Sequence, residues 1–335
     1  MKILLSCSKT DSPSFQFYKE SLTKLVKENK KINFTAKKFE QKILEKDYDV
    51  VLFMSGTKNS NFIKKKGVLY GIVDPRAGNY DDFRKYDFII ANGIEEKIFF
   101  SFTNLPTLIY PVYPSINLKK KKKNKNKTVI SYHGNREHLT NMYPRITNAF
   151  KKLATEHRIE LILIYDYKRK GKINIFKTKQ AHFKITHKQY HLNCYDEYLR
   201  NTDIGIVPQL IPSKDKKIKK NLSYYFSEYL FKKKYFFSIF FKETTNLGRH
   251  LVFAQLKIPT ISDYTFSSSN FINNGINGYL AYDTIDWYEN LKYLIENKKK
   301  SKEIGYRFYQ DWKKNYTHNF LNKKLLKFLK KLNDK

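Results

Sequence analysis

A short polar stretch, Asn246-Leu247-Gly248-Arg249, precedes an apolar run that predicts a helix over 251–256. The start of a helix offers unpaired backbone N–H groups and the positive end of the helix dipole, and both bind anions such as phosphate. Gly248 would let a ligand approach the backbone closely, and Arg249 could hold two phosphate oxygens at once. The same residues also suit an ordinary helix start, with Asn246 as the N-cap and Arg249 in solvent.

A second polar turn has the same chemistry. Gly134 and Arg136 follow a strand predicted at 128–132, and they suit a phosphate group held from the opposite side. His133 lies beside them. It could assist a leaving group, or it could simply make a hydrogen bond that stabilises the turn.

Two carboxylates follow predicted strands in the first half of the chain. Asp11 comes after the strand at 2–8, and Asp74 directly follows the strand at 67–73. Either could face a cleft and deprotonate an acceptor hydroxyl, but each is also typical of a helix cap or a turn. The metal-binding pattern H-E-x-x-H is absent. The sequence therefore predicts a reaction without a metal, in which arginines and helix dipoles neutralise a departing phosphate.

Apolar runs separated by polar loops and helices indicate the elements that carry these residues. In the first half the predicted strands are 2–8, 49–54, 67–73, 88–91 and 107–112. In the second half they are 128–132, 159–165, 203–208, 258–262 and 278–281. Near-continuous apolar strands are typical of parallel sheets covered on both faces. The fold class is therefore α/β, with two Rossmann-like doubly wound parallel-sheet domains facing a cleft. The dinucleotide fingerprint and the Walker-type phosphate loop are both absent.

A lysine-rich break divides the two halves. Seven of the nine residues over 119–127 are lysine, so this segment is predicted to be an exposed linker; contact with a phosphate surface is the alternative. The predicted domains are an acceptor-side domain at 1–118 and a donor-binding domain at 128–312. An aromatic and basic insertion at 210–242 belongs to the second domain. A helix at 313–335 crosses back to the first domain.

Three segments of the second half occur in an order that is found in a known family. They are the strand at 203–208, the helix and strand ending at 254–261, which reads AQLKIPTI, and the segment at 272–280, which reads INNGINGYL. Together they resemble the donor-binding half of the GT-B glycosyltransferases, in which a helix and a small-G-x-P-V-I strand precede I-x-x-G-x-N-G-x-L. The resemblance covers most of 128–310. The first half matches that family only in architecture.

The resemblance implies a glycosyltransferase of the group 1 type. It would move a sugar from a nucleotide-diphosphate-sugar, which is a substrate and not a cofactor, to a hydroxyl of a glycan or lipid-linked acceptor. The donor diphosphate would be bound by Gly134, Arg136, Asn246, Gly248 and Arg249. The candidates for catalysis are Asp11, Asp74 and His133.

One departure from the family pattern concerns two glutamates, eight residues apart, that many members carry around this helix. The aligned positions here are Thr244 and Val252, with Glu243 one residue before the first. The acid that usually contacts the donor sugar or ribose is therefore missing. This leaves the donor and the stereochemistry undetermined. Some members of the fold use an Asn-x-Gly-Arg type of loop instead, and this chain is similar to them.

The chain of 335 residues has a net charge of +34, which attracts polyanions such as nucleic acid and anionic lipid. Codon drift towards lysine is the alternative origin of this charge.

Ten of the twenty residues from Leu222 to Phe241 are aromatic, with lysines around them. This composition suits either an anionic membrane surface or a buried helix. We expect a cytoplasmic protein, peripheral at the inner membrane. The other hypotheses are a nucleic-acid-binding protein and a GT-B-like protein without catalysis.

Overall fold

The computed structural model describes eight segments of the chain. These are residues 1–40, 47–54, 62–75, 83–116, 126–169, 171–176, 183–210 and 246–334. Most of the lysine-rich segment, all of the aromatic insertion except Leu210, and Thr244 lie outside the described residues.

The first domain contains a six-stranded parallel sheet. Its strands are β1 (Lys2–Cys7), β2 (Asn33–Lys38), β3 (Val50–Met54), β4 (Leu69–Val73), β5 (Phe88–Ala91) and β6 (Thr107–Ile109), in the order β2-β1-β3-β4-β5-β6. Helix α1 (Pro13–Glu28) covers one face, and α2 (Ile94–Phe99) follows β5. Helix α1 begins where Pro13 fixes the first turn and the Ser12 hydroxyl accepts a hydrogen bond from the Phe15 N–H.

The second domain contains another six-stranded parallel sheet. Its strands are β7 (Thr128–His133), β8 (Ile159–Tyr165), β9 (Lys184–Gln189), β10 (Ile204–Val207), β11 (Thr260–Asp263) and β12 (Tyr279–Ala281), in the order β12-β11-β10-β7-β8-β9. The helices among its described residues are α3 (Arg136–Thr140), α4 (Arg145–Glu156), α5 (Cys194–Leu199), α6 (Gly248–Gln255), α7 (Phe266–Phe271), α8 (Thr284–Glu296) and α9 (Lys298–Asn315). The strand order reverses between β7 and β10. Such a reversal opens a crevice at the carboxyl ends of the strands.

The predicted fold class is confirmed by these two sheets. Apolar runs such as β3 and β8 are buried along nearly their whole length because helices cover both faces. Two strands, β2 and β9, were absent from the sequence prediction. Both are edge strands with polar, partly exposed residues, so they lack the apolar run by which the other strands were found.

A final helix, α10 (His318–Asn333), returns to the first domain and packs against α1. A buried polar network joins the two helices. His318 Nδ1 lies 2.8 Å from Ser21 Oγ, and the Tyr110 hydroxyl donates to Asn322 Oδ1 at 2.6 Å. Asn322 Nδ2 in turn donates to the Ser21 carbonyl at 2.9 Å. Because these groups are buried, each hydrogen bond fixes the position of α10 on the first domain.

Contacts join the two domains at two places. In the first, the Tyr113 hydroxyl donates to the Tyr316 carbonyl, and the Tyr113 ring stacks on His318 with ring centroids 4.4 Å apart. In the second, the Glu95 carboxylate accepts a hydrogen bond from the Ser267 N–H at 2.8 Å. The Ile94 N–H donates to Ser267 Oγ at 2.8 Å. The first turns of α2 and α7 thus cap each other across the domain boundary.

None of the helices in the described part of the chain combines the length and the apolar character that crossing a membrane requires.

Candidate active site

The carboxyl ends of both sheets border a cavity of about 590 Å³. Ligands of open α/β sheets bind in this position, beside the point where the strand order reverses. The cavity is lined by most of the residues singled out in the sequence: Asp74, His133, Gly134, Arg136, Asn246, Gly248 and Arg249. Asp11 is not among the lining residues. It lies in the exposed turn before α1, whose N-cap is Ser12.

Gly134 follows β7 with a left-handed φ of +140°. A Cβ atom at this position would lie 2.9 Å from the Tyr132 hydroxyl oxygen and 3.0 Å from Arg249 Cδ. A side chain is therefore excluded by both conformation and space. The backbone of this turn comes close to Arg249, so the two predicted phosphate-binding stretches form one surface.

Arg249 lies in the first turn of α6, where its guanidinium is largely enclosed. Its Nη1 donates to the Pro208 carbonyl at 2.9 Å, which ties α6 to the end of β10. Burial lowers the pKa of Arg249, and the nearby Tyr132 and Asp263 partly offset this effect. A guanidinium stays protonated even when its pKa falls moderately, so Arg249 places a positive charge beside Gly134.

His133 ends β7 and is buried. Its Nε2 lies 3.3 Å from the Arg249 carbonyl oxygen, and its ring meets Phe253 edge-on with centroids 4.9 Å apart. Burial, together with the charge of Arg249, lowers the pKa of His133 to about 3. The ring is therefore neutral near pH 7, with its proton on the Nε2 that faces the Arg249 carbonyl, so it cannot act there as an imidazolium acid.

Gly248 and Asn246 form the entry to α6. Asn246 Oδ1 accepts a hydrogen bond from the Gly248 N–H at 2.7 Å, so the asparagine caps this turn. A Cβ atom on Gly248 would lie 2.4 Å from the Val112 carbonyl oxygen. The expected close approach at Gly248 is thus made by the protein's own backbone. The glycine is needed where residues after β6 pack against α6.

Arg136 begins α3 and is half-buried. Asn135 caps this helix through its side chain, which accepts a hydrogen bond from the Glu137 N–H at 3.2 Å. The Arg136 Nε is buried and has no hydrogen-bond partner among the described residues. A buried donor without a partner is costly, and an anion in the cavity would supply the missing acceptor.

The first domain contributes a polar wall opposite these cations. Asp74 follows β4, is buried, and has a φ of +51°. Next to it along the sheet, Asn92 and Glu96 follow β5: the Asn92 N–H donates to Glu96 Oε2 at 2.6 Å. The Tyr18 hydroxyl donates to Asn92 Oδ1 at 3.1 Å. Carboxylates of the first domain and arginines of the second therefore line the same cavity.

The comparisons with known proteins agree with this architecture. No protein-family model and no curated protein matches the chain. Solved structures do match it. Sucrose-phosphate synthase from Thermosynechococcus elongatus has a TM-score of 0.63 at 8% identity, over 99% of both chains. A glycosyltransferase from Rickettsia africae has a TM-score of 0.61 at 13% identity, over 99% of this chain and 98% of that one. Anabaena HepE, solved with UDP and glucose, has a TM-score of 0.60 at 10% identity, over 99% of this chain and all of its own. The chain has the GT-B fold.

Within this GT-B fold, Val252 stands where the resemblance places the second glutamate. It lies on α6, is buried, and belongs to the hydrophobic core while also lining the cavity. The first aligned position, Thr244, is outside the described residues. Helix α6 therefore presents an apolar side chain where many GT-B members carry an acid.

Several cavity residues were not predicted from the sequence. They are Asn92, Glu96, Asp166, Arg169, Tyr190 and Tyr195. Asp166 had a usable signal, since it directly follows the apolar run of β8, as Asp74 follows β4. Glu96 had none, because α2 is short and its burial depends on packing between the domains. Among the described residues, no three His, Cys, Asp or Glu side chains are close enough to hold a metal ion.

Proposed function

We propose that the protein is a glycosyltransferase that transfers a sugar from a nucleotide-diphosphate-sugar to a hydroxyl of a glycan or lipid-linked acceptor. One observation carries this proposal. Two arginines and a left-handed glycine lie at the strand-order reversal of one domain, and they face a buried aspartate of the other domain across a single cavity. The GT-B fold, shared with HepE solved with UDP and glucose, supports the same function.

The donor diphosphate would lie between β7 and α6. No described residue hydrogen-bonds the Arg136 Nε, and Arg249 adds a second fixed guanidinium beside Gly134. Negative charge develops on the diphosphate as its bond to the sugar breaks, and fixed cations stabilise that charge without reorganising. The proposed reaction therefore needs no metal ion, since the arginines supply the positive charge.

The acceptor hydroxyl would approach from the first domain. The Asp74 carboxylate would take its proton while the hydroxyl oxygen attacks the anomeric carbon. The bond from that carbon to the diphosphate oxygen breaks, and the nucleoside diphosphate leaves with the electron pair. Asp74 suits this role better than Asp11, because Asp74 is buried in the cavity wall whereas Asp11 is exposed outside it.

The test is calorimetric titration of the protein with UDP-, GDP- and ADP-sugars. Arg136→Ala should weaken binding by one charge-assisted hydrogen bond, about 1.5–3 kcal/mol or roughly tenfold to a hundredfold. The matched control is Arg158→Ala. Arg158 is exposed and precedes β8, so it lies at the opposite end of the sheet from the cavity. Its loss should not change the affinity.

Two results would contradict the proposal. The first is an absence of binding to every nucleotide-sugar at millimolar concentration. The second is an equal loss of affinity in Arg136→Ala and Arg158→Ala, which would indicate a general effect of net charge. The same titration with single-stranded RNA tests the nucleic-acid hypothesis. That hypothesis predicts tight RNA binding that both arginine substitutions weaken alike.

A further inference from the structure

The cavity wall of the second domain continues beyond the phosphate-binding residues onto β8 and β9. Asp166 follows β8 and Tyr190 follows β9, and both line the cavity. The three strand ends are level to within one residue. The Gly134 N–H donates to the Ile164 carbonyl at 3.0 Å, and the Tyr190 N–H donates to the Tyr165 carbonyl at 3.1 Å. In this register Asp166 continues β8 beside Tyr190, and Gly134 continues β7 one residue short of Asp166, with neighbouring strands about 5 Å apart.

A diphosphate bound at Gly134 determines where the rest of the nucleotide lies. The ribose follows the α-phosphate, and the base follows the ribose. Among the described residues, those after β11 and β12 do not line the cavity, whereas those after β8 and β9 do. A nucleoside that follows the wall of the second domain would therefore extend from β7 towards β9. One strand spacing brings the ribose opposite Asp166, and the next brings the base opposite Tyr190.

The Asp166 carboxylate is held in place for such a contact. Gln189 Nε2 donates to Asp166 Oδ1 at 2.9 Å, and Gln189 Oε1 accepts from the Lys168 N–H at 3.0 Å. The side chain of Asp166 is exposed, and no described residue hydrogen-bonds its Oδ2. Val252 leaves helix α6 without an acid at the position where the resemblance implies one. Asp166 is thus a fixed carboxylate with one oxygen open to the cavity.

We propose that Asp166 recognises the ribose of the donor by accepting hydrogen bonds from its hydroxyl groups, which makes the site selective for ribonucleotides. This inference rests on the proposed function. The second domain has a doubly wound strand order that it shares with dinucleotide-binding domains, and in those domains an acidic residue beyond the first βα turn binds the ribose 2′-hydroxyl. Strand β8 is the second strand of this domain. A carboxylate on a strand end replaces the acid missing from α6.

The experiment compares the affinities for ribonucleotides and their 2′-deoxy counterparts. UDP, GDP and ADP are titrated in parallel with dUDP, dGDP and dADP. The wild type should prefer the ribonucleotide by about tenfold or more, as expected for a hydrogen bond to a charged group. Asp166→Ala should bring the ratio close to one. Asp166→Asn, which keeps an acceptor for Gln189 but removes the charge, should give an intermediate ratio.

Glu137→Gln is the matched control. Glu137 also lines the cavity and is exposed, but it belongs to α3 after β7, at the phosphate end. Removing either carboxylate changes the charge near the diphosphate and so alters the affinity for both nucleotides of a pair. Only Asp166 should change their ratio. The ratio is thus insensitive to the general electrostatic effect.

The outcomes separate this inference from the proposed function. If the wild type binds ribonucleotides but does not discriminate, or if Asp166→Ala keeps the wild-type ratio, the ribose assignment is wrong while donor binding stands. If the wild type binds no nucleotide, both proposals fail. If Glu137→Gln abolishes the discrimination as fully as Asp166→Ala, the selectivity is not a property of Asp166.

Discussion

Mild acid should destabilise the protein through three buried histidines: His133, His250 and His318. Burial lowers the pKa of His133 and of His250 to about 3, with Arg249 contributing to both, and lowers that of His318 to about 4. Around His318, Lys24 favours the neutral ring and Glu20 opposes it. Each ring also has a fixed position, and the His250 Nε2 lies 2.8 Å from Ser262 Oγ.

The sign and size of the effect follow from proton linkage. A histidine in the unfolded chain binds a proton below about pH 6.5, whereas these three stay neutral in the folded state down to about pH 3–4. Their contribution is fully present above pH 6.5 and is lost progressively as the pH falls. At pH 5, protonation of the unfolded state costs about 2 kcal/mol per histidine. The three together should lower the free energy of unfolding by about 6 kcal/mol between pH 8 and pH 5.

The assay is urea denaturation followed by circular dichroism at pH 8, 7, 6 and 5. His250→Gln and His318→Gln should each reduce the pH-dependent loss by about 2 kcal/mol, whatever their effect on stability at pH 8. His191→Gln is the control, because His191 is exposed. A wild-type loss below about 2 kcal/mol would refute the reasoning. So would a loss of the same size in the His250 and His318 variants as in the wild type.

Three further predictions concern single substitutions. Gly248→Ala should destabilise the protein by about 1–3 kcal/mol in thermal unfolding, because the alanine Cβ would clash with the Val112 carbonyl. Alanine otherwise favours a helix, so an increase in stability would show that this clash does not occur. Asp74→Asn should abolish sugar transfer, measured by product formation, in a protein that calorimetry shows still binds the nucleotide. Retained transfer would exclude Asp74 as the base. Asn322→Leu should lower the free energy of unfolding by about 1–3 kcal/mol in urea denaturation, because it removes the acceptor of the buried Tyr110 hydroxyl and a donor to α1. An unchanged urea midpoint would show that the hydrogen bonds between α10 and the first domain contribute little to stability.

Much of the fold could be predicted because the central strands are apolar on both faces. The runs at β5 and β8 match the predicted bounds, since parallel strands under helices leave no polar alternation to obscure them. The edge strands β2 and β9 carry no such run. Their pairing depends on a neighbouring strand far along the chain, so single-sequence reasoning does not detect it.

The candidate site could be predicted in part for a similar reason. Residues such as Gly134 and Asp74 directly follow apolar runs, and parallel strands bring their carboxyl ends to one edge of a sheet. The burial of His133 and Arg249 could not be predicted, because it comes from packing between β7, α6 and the end of β10. Nor could the sequence show that Val112 fills the space beside Gly248. That contact joins segments from different domains.

The return of α10 to the first domain has a mechanical consequence. The chain passes between the domains after β6 and again before α10, and the two passages touch where Tyr113 contacts Tyr316 and His318. Two adjacent passages act as a hinge: they permit rotation about the line through them and resist sliding. Rotation about this line would break the Glu95–Ser267 contacts, which join the domains elsewhere, and keep the Tyr113 contacts in place. The distance between the Asp74 wall and the Arg249 wall would then change through a single pivoting motion.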